Sequence, residues 1–147
     1  MNVNLIPVTE ADFEHLADLR VVAMQESLER VGRFDPERAR ARLRSSFSPA
    51  HTRMIVFEEK VVGFYAARPS PEGLQLDHLY IHPQFQGRGI GAMVLQRIFD
   101  DADESGVAVL VGALQESASN RFYQRHGFFK IRESEWDVYY IRPASPK

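Results

Sequence analysis

The chain contains no cysteine. This excludes a disulfide framework, a thiolate-ligated zinc or iron–sulfur centre, and a thiol nucleophile. No apolar run approaches the roughly 18 residues of a membrane-crossing helix. Met1–Pro7 has neither the cationic start nor the apolar stretch of a secretion signal. The expectation is a cytoplasmic protein with no membrane partner. An excess of one charge is also missing: 18 Lys and Arg stand against 20 Asp and Glu, a net −2, so nothing global favours nucleic acid. His51, His82 and His126 lack His-x-x-x-His spacing, and no metal site is expected. What is present is 147 residues, 44% of them hydrophobic, without repeats or low-complexity stretches. One domain over 1–147 is expected, long enough to bury a core. Its tail, about Arg142–Lys147 with Pro143 and Pro146, reads as flexible.

Period and punctuation give the elements. Asn4–Val8 suits a short edge strand. Thr9 stands three residues before Asp12, as in a capping box, ahead of a helical stripe of Phe13, Leu16, Arg20, Met24, Leu28 and Val31. Asp35-Pro36 opens a second helix on Ala39, Leu43 and Phe47. Arg53–Phe57 and Val61–Arg68 read as a hairpin around a three-residue loop, Glu58-Glu59-Lys60. Leu74–Ile81 is a strand stopped before Pro83, Gly89–Glu104 a helix ended at Gly106, and Val107–Val111 a buried strand. Ser117–His126 is a short helix, and Phe128–Arg132 with Trp136–Ile141 a final antiparallel pair. The order β-α-α-β-β-β-α-β-α-β-β contains one strand–helix–strand crossover, which joins parallel strands.

The segment Gln86-Gly87-Arg88-Gly89-Ile90-Gly91 lies between a strand and a helix. Its three glycines admit positive φ and close backbone approach. The helix that follows offers unpaired N–H groups and the positive end of its dipole, a combination that suits phosphate. Arg88 adds a cation. The spacing is neither Gly-x-Gly-x-x-Gly nor a P-loop, since no Lys-Ser/Thr follows.

Leu79–Gly91 resembles the acetyl-CoA-binding motif of the GNAT superfamily of N-acetyltransferases, Gln/Arg-x-x-Gly-x-Gly/Ala, at Gln86, Gly89 and Gly91. Tyr123-Gln124-Arg125-His126-Gly127-Phe128 is similar to its second signature, a Tyr four residues before Gly-Phe. The order of elements fits over essentially the whole chain. The resemblance implies an α/β fold with a mixed, mostly antiparallel sheet of six to seven strands, one splayed parallel pair and four flanking helices. It also implies acetyl-CoA as cosubstrate, lying in a V-shaped gap between the parallel strands. Leu79, Tyr80 and Ile81 would line it, with backbone groups of Tyr80 and Ile81 pairing to it and the Ile81 N–H facing the thioester oxygen. Gln86, Gly87, Arg88, Gly89, Ile90 and Gly91 would hold the diphosphate. Tyr123 is implied as the acid that protonates the departing thiolate, and the acceptor as a small-molecule amine or a peptide.

The family's usual strand Glu is replaced by Gln75, which cannot take a proton but can hold water or the amine. Asp77, His78 and Glu116 are the alternatives for a base. Glu116 also occupies the position of a common pantetheine-binding Asn; Asn120, three before Tyr123, either faces the cofactor or caps a turn. Arg20 reads as a snorkelling side chain with its head in water, or as a cation in the acceptor site. Trp136, Val138 and Tyr140 read as core, with a pocket wall or homodimer contact as alternatives. These departures keep open a non-catalytic acyl-CoA-binding module on the same fold.

Overall fold

A computed structural model describes residues 2–145. The strands are β1 (Val3–Pro7), β2 (Thr52–Phe57), β3 (Lys60–Ser70), β4 (Gly73–Ile81), β5 (Val109–Leu114), β6 (Phe129–Glu133) and β7 (Asp137–Arg142). The helices are α1 (Phe13–Arg30), α2 (Pro36–Ser46), α3 (Ile90–Glu104) and α4 (Ala118–Arg125), with short 3-10 turns at Glu10–Asp12, Pro49–His51 and Pro83–Phe85. The strands form one mixed sheet in the order β1-β2-β3-β4-β5-β7-β6. Its parallel pair is β4 with β5. The chain divides into two compact units, one made of residues up to Ala66 with His78–Ile90, the other of Ala67–Asp77 with the residues from Gly91 on.

In the first unit, β1 and β2 pair antiparallel from Val3↔Phe57 to Pro7↔Arg53. The Thr9 N–H donates to Asp12 Oδ2 at 2.8 Å, the capping box expected at the entry to α1. Asp35 caps α2 by accepting from the N–H groups of Glu37 and Arg38. The apolar stripes of both helices close one core of Val8, Phe13, Leu16, Ala17, Leu19, Leu43 and Phe64, with Phe47, Met54, Val61 and Tyr80 packed against it. Leu16 is fully buried, so its truncation to Ala should cost about 2–5 kcal/mol. On the outer side Arg40 pairs with Glu14 and Asp18, and Arg44 with Glu10. The β2–β3 loop differs from the three-residue reading: Lys60 pairs with Phe57 as part of β3. Only Glu58 and Glu59 remain, at φ +52° and +64°. Two successive left-handed residues are what the right-handed twist of a hairpin asks of a two-residue turn.

In the second unit, β4 and β5 pair over Leu74–Leu76 and Val109–Val111. β5 pairs with β7 from Val109↔Arg142 to Leu114↔Asp137, and β7 with β6. β5 starts two residues later than expected because Val107 still closes α3, its N–H donating to the Ala102 carbonyl at 2.9 Å behind Gly106 at φ +71°. Ala108 accepts from Leu74 N–H at 2.8 Å just before β5 begins. α3 buries Val94, Leu95, Ile98, Phe99 and Ala102. Within the segment read as a loose tail, Arg142 belongs to β7 and donates to both oxygens of Asp103. The Ser145 N–H also reaches Asp103, at 2.9 Å. Pro146 and Lys147 lie outside the described residues.

Candidate active site

The glycine segment follows a tight turn. His82 Nδ1 accepts from Gln84 N–H at 3.1 Å, and Phe85 N–H returns to the His82 carbonyl at 2.8 Å. Gly87 and Gly89 adopt φ +77° and +82°. A Cβ at Gly87 would meet nothing within 4 Å, so the backbone angle and not space calls for glycine there. α3 starts at Ile90 and turns its first N–H groups toward this exposed turn. Arg88 lies over the Phe85 ring, 5.1 Å from its centroid. Gly91 serves a different purpose. Its φ is not positive, and a Cβ there would sit 3.1 Å from Phe122 Cζ, so this glycine lets α4 pack closely on α3.

β4 changes the edge it presents along its length. Leu74 directs its N–H to Ala108, whereas the Tyr80 carbonyl and the His82 N–H face β3. Strict alternation would place these even-numbered residues on one edge, so the strand is irregular in between. A Cβ on Gly63 would lie 2.1 Å from the Tyr80 carbonyl oxygen, and His82 N–H donates to the Val62 carbonyl at 2.7 Å. The expectation that Tyr80 and Ile81 both offer backbone groups to a ligand is therefore corrected: Tyr80 turns its carbonyl to β3. Ile81, between two residues that face β3, directs its groups to the opposite edge. There its carbonyl accepts from Gln86 Nε2 at 2.9 Å. The Gln86 side chain thus braces the end of β4 against the glycine turn.

The Tyr80 side chain joins a polar chain beneath α1 and α2. Arg20 is 6% exposed. Its Nη1 donates to the Ala39 carbonyl at 2.5 Å and its Nε to Tyr80 Oη at 3.2 Å. This corrects the snorkelling reading, because the guanidinium is inside the fold. With its oxygen accepting from Arg20, Tyr80 directs its own proton to His78 Nδ1, 3.1 Å away. His78 then carries its hydrogen on Nε2 and donates to Ser46 Oγ at 3.1 Å, and Ser46 donates to the Arg42 carbonyl at 3.2 Å. Burial, and next the positive charge of Arg20, pull His78 from 6.5 down to about 4. The ring is neutral at pH 7 and lacks a lone pair facing outward, which counts against it as a base. Sequence reasoning missed this chain; its one trace was an arginine within an apolar stripe.

In the second unit Asp77 is held by Arg68, Nε to Oδ2 at 2.7 Å and Nη2 to Oδ1 at 3.4 Å. Gln75 is partly buried and makes no side-chain hydrogen bond among the described residues. Tyr123 is buried, in T-shaped contact with Phe128 at 5.2 Å and near Tyr140 at 6.3 Å. Asn120 is engaged at both ends of its amide. Its Nδ2 donates to the Leu114 and Ser117 carbonyls, and its Oδ1 accepts from Tyr140 Oη at 2.7 Å. Glu116 is exposed at φ +63° in the turn that Asn120 closes. Among the described residues no group of three or more His, Asp or Glu has metal-site geometry.

The L-amino acid N-acyltransferase MnaT of Escherichia coli (strain K12) is 38% identical over 52 residues, 34% of this chain and 30% of that protein. The L-methionine sulfoximine/L-methionine sulfone acetyltransferase of Salmonella typhimurium matches to the same extent. The aligned part thus spans under a third of either relative. The fold is shared with the PaiA N-acetyltransferase of Thermoplasma acidophilum in complex with coenzyme A, at TM-score 0.79 and 14% identity over 97% of this chain and 99% of that one. It is shared too with an acetyltransferase of Thermus thermophilus, at TM-score 0.78 and 22% identity over 97% of each chain. The acetyltransferase (GNAT) domain family matches residues 50–130, more than half of the chain, from the β2–β3 hairpin through the glycine turn to Tyr123. On that match, the chain belongs to the GNAT acetyltransferase family.

Proposed function

We propose that this protein passes the acetyl group of acetyl-CoA directly to a primary amine of a small molecule or a peptide N-terminus. The observation that carries the reading is the turn from Gln86 to Ile90, where two left-handed glycines lead into a helix N-terminus. Amides of Gly87 to Ile90, with Arg88, would hold the diphosphate, while Leu79 and Ile81 border the coenzyme's acyl arm. The N–H of Ile81, on the edge of β4 away from β3, would stabilise the oxyanion as the amine attacks the thioester. The coenzyme A complex of the Thermoplasma relative supports this choice of cosubstrate.

The amine must lose a proton. For a lysine-like amine at pH 7 that costs roughly 4–5 kcal/mol. Gln75 and Asp77 are proposed to hold the amine or a relaying water; Asp77, paired with Arg68, acts as an anchor rather than a free base. As the new C–N bond forms and the C–S bond breaks, Tyr123 gives its phenolic proton to the thiolate. The two relatives' names make L-amino acids the first acceptors to try.

Thiol release from acetyl-CoA with a panel of amines tests the reading. Turnover that falls at least ~100-fold in Tyr123→Phe supports it. Tight acetyl-CoA binding without turnover across the panel would favour a non-catalytic acyl-CoA-binding module. That alternative draws on Gln75, which accepts no proton, and on the engaged carboxylate of Asp77.

A further inference from the structure

Arg20 is a permanent cation, more than nine-tenths buried, and it has no counter-ion. Among the described residues no carboxylate lies within 4 Å of its guanidinium. The acidic groups of its neighbourhood are used elsewhere: Glu14 and Asp18 go to Arg40 and Glu10 to Arg44, all on the outer side of α1 and α2. Its partners are neutral, the Ala39 carbonyl and the Tyr80 hydroxyl. An interior cation held only by neutral groups is costly, and chains rarely keep one without a use for it.

The guanidinium is also not closed off. Nε and Nη1 are engaged, and Nη2 has no hydrogen-bond partner among the described residues. Every fully buried side-chain nitrogen and oxygen there does have a partner. Nη2 is therefore open to solvent. Tyr80 and His78 beside it are half-buried, and Ser46 at the end of the chain is exposed. The two N–H bonds of Nη2 diverge in the guanidinium plane, which Tyr80 and Ala39 hold in place, and either can give a charged hydrogen bond to one carboxylate oxygen.

We propose that Arg20, fixed by Tyr80 and Ala39, anchors a carboxylate of the acceptor, so that the amine to be acylated belongs to an amino acid. The anchor rests on the acyl-transfer reading above and narrows its acceptor class. Tyr80, one residue before Ile81, ties the anchor to the strand proposed to face the thioester.

The test compares L-amino acids with their carboxamides, which keep the amine and remove the charge, in the thiol-release assay. The expected wild-type preference for the acid in kcat/KM is about 10- to 100-fold, the range of a charged hydrogen bond. In Arg20→Met this acid-to-amide ratio should fall toward one, whereas a merely structural role would lower both substrates together. Tyr80→Phe, which keeps the ring in the core, should lower the ratio partway and covers the case in which the Arg20 variant does not fold. Calorimetry with the amino acid on CoA-saturated protein reads the site without turnover. Heat in the wild type that is lost in the variants supports the anchor even if thiol release fails, in which case only the transfer reading falls. Equal use of acid and amide, no heat from the amino acid, or a loss of CoA affinity with the ratio unmoved would each overturn the proposal.

Discussion

His78 should make this protein sensitive to mild acid. Its folded value of about 4 lies below the ordinary 6.5, because burial and the neighbouring Arg20 disfavour the charged ring. The unfolded chain therefore binds a proton that the native state refuses. Stability associated with His78 is complete above pH 6.5 and is lost as pH falls toward 4. Between pH 7 and pH 5 the loss is about 2 kcal/mol, from a shift of roughly 2.5 units at 1.36 kcal/mol each, only part of which is traversed in that interval. Arg20 is the charged group that acts on the ring, joined to it through Tyr80, and Ser46 and Phe64 also lie beside it. Urea unfolding at pH 7, 6 and 5, on the wild type and on His78→Gln, measures the effect. Glutamine can accept from Tyr80 but does not titrate, so the two stability curves should diverge on acidification, with the wild type falling about 2 kcal/mol further. Parallel curves would refute the reasoning, as would a histidine titration near 6.5 assigned to His78 by NMR. The same spectra should show the hydrogen on Nε2.

Three other consequences are open to direct measurement. Replacing Glu58-Glu59 by Asn-Gly should raise the urea midpoint, by about 1–2 kcal/mol of stability, because both positions are left-handed. Gly63→Ala should destabilise by more than about 2 kcal/mol, since its methyl would be driven into the Tyr80 carbonyl and neither backbone can yield cheaply; an unchanged thermal midpoint would contradict the close approach of β3 and β4. Gly89→Val should weaken CoA binding at least ~10-fold by calorimetry, while far-ultraviolet circular dichroism keeps its helical signal, because a β-branched residue resists φ +82°.

Local chemistry was legible where a few adjacent residues decide it. Thr9 with Asp12, Asp35 with Pro36, and Gly106 each announced a helix end, and each acts there. The amphipathic period of α3 and the glycine turn before it could be read for the same reason. The hairpin at Glu58-Glu59 was harder, because its residues are not the usual left-handed ones and the twist of β2 and β3 imposes their angles. The start of β5 reads two residues early because apolar content does not say that Val107 still belongs to the end of α3. The Arg20–Tyr80–His78 chain was beyond reach in a different sense. Arg20 and Tyr80 are 60 positions apart, and no local pattern distinguishes a guanidinium that enters the core from one whose stem snorkels. Gly63 likewise looks ordinary until β4 lies against it. At the glycine segment, sequence grouped three residues that act in two ways: Gly87 and Gly89 shape the turn, and Gly91 admits Phe122.

The most direct test of the account is a calorimetric titration of acetyl-CoA, and separately of CoA, into the folded protein. Saturable binding of one molecule per chain, weakened by Gly89→Val, is the predicted result. Absence of heat with either ligand at millimolar concentration, on protein whose fold is verified by circular dichroism, would contradict it.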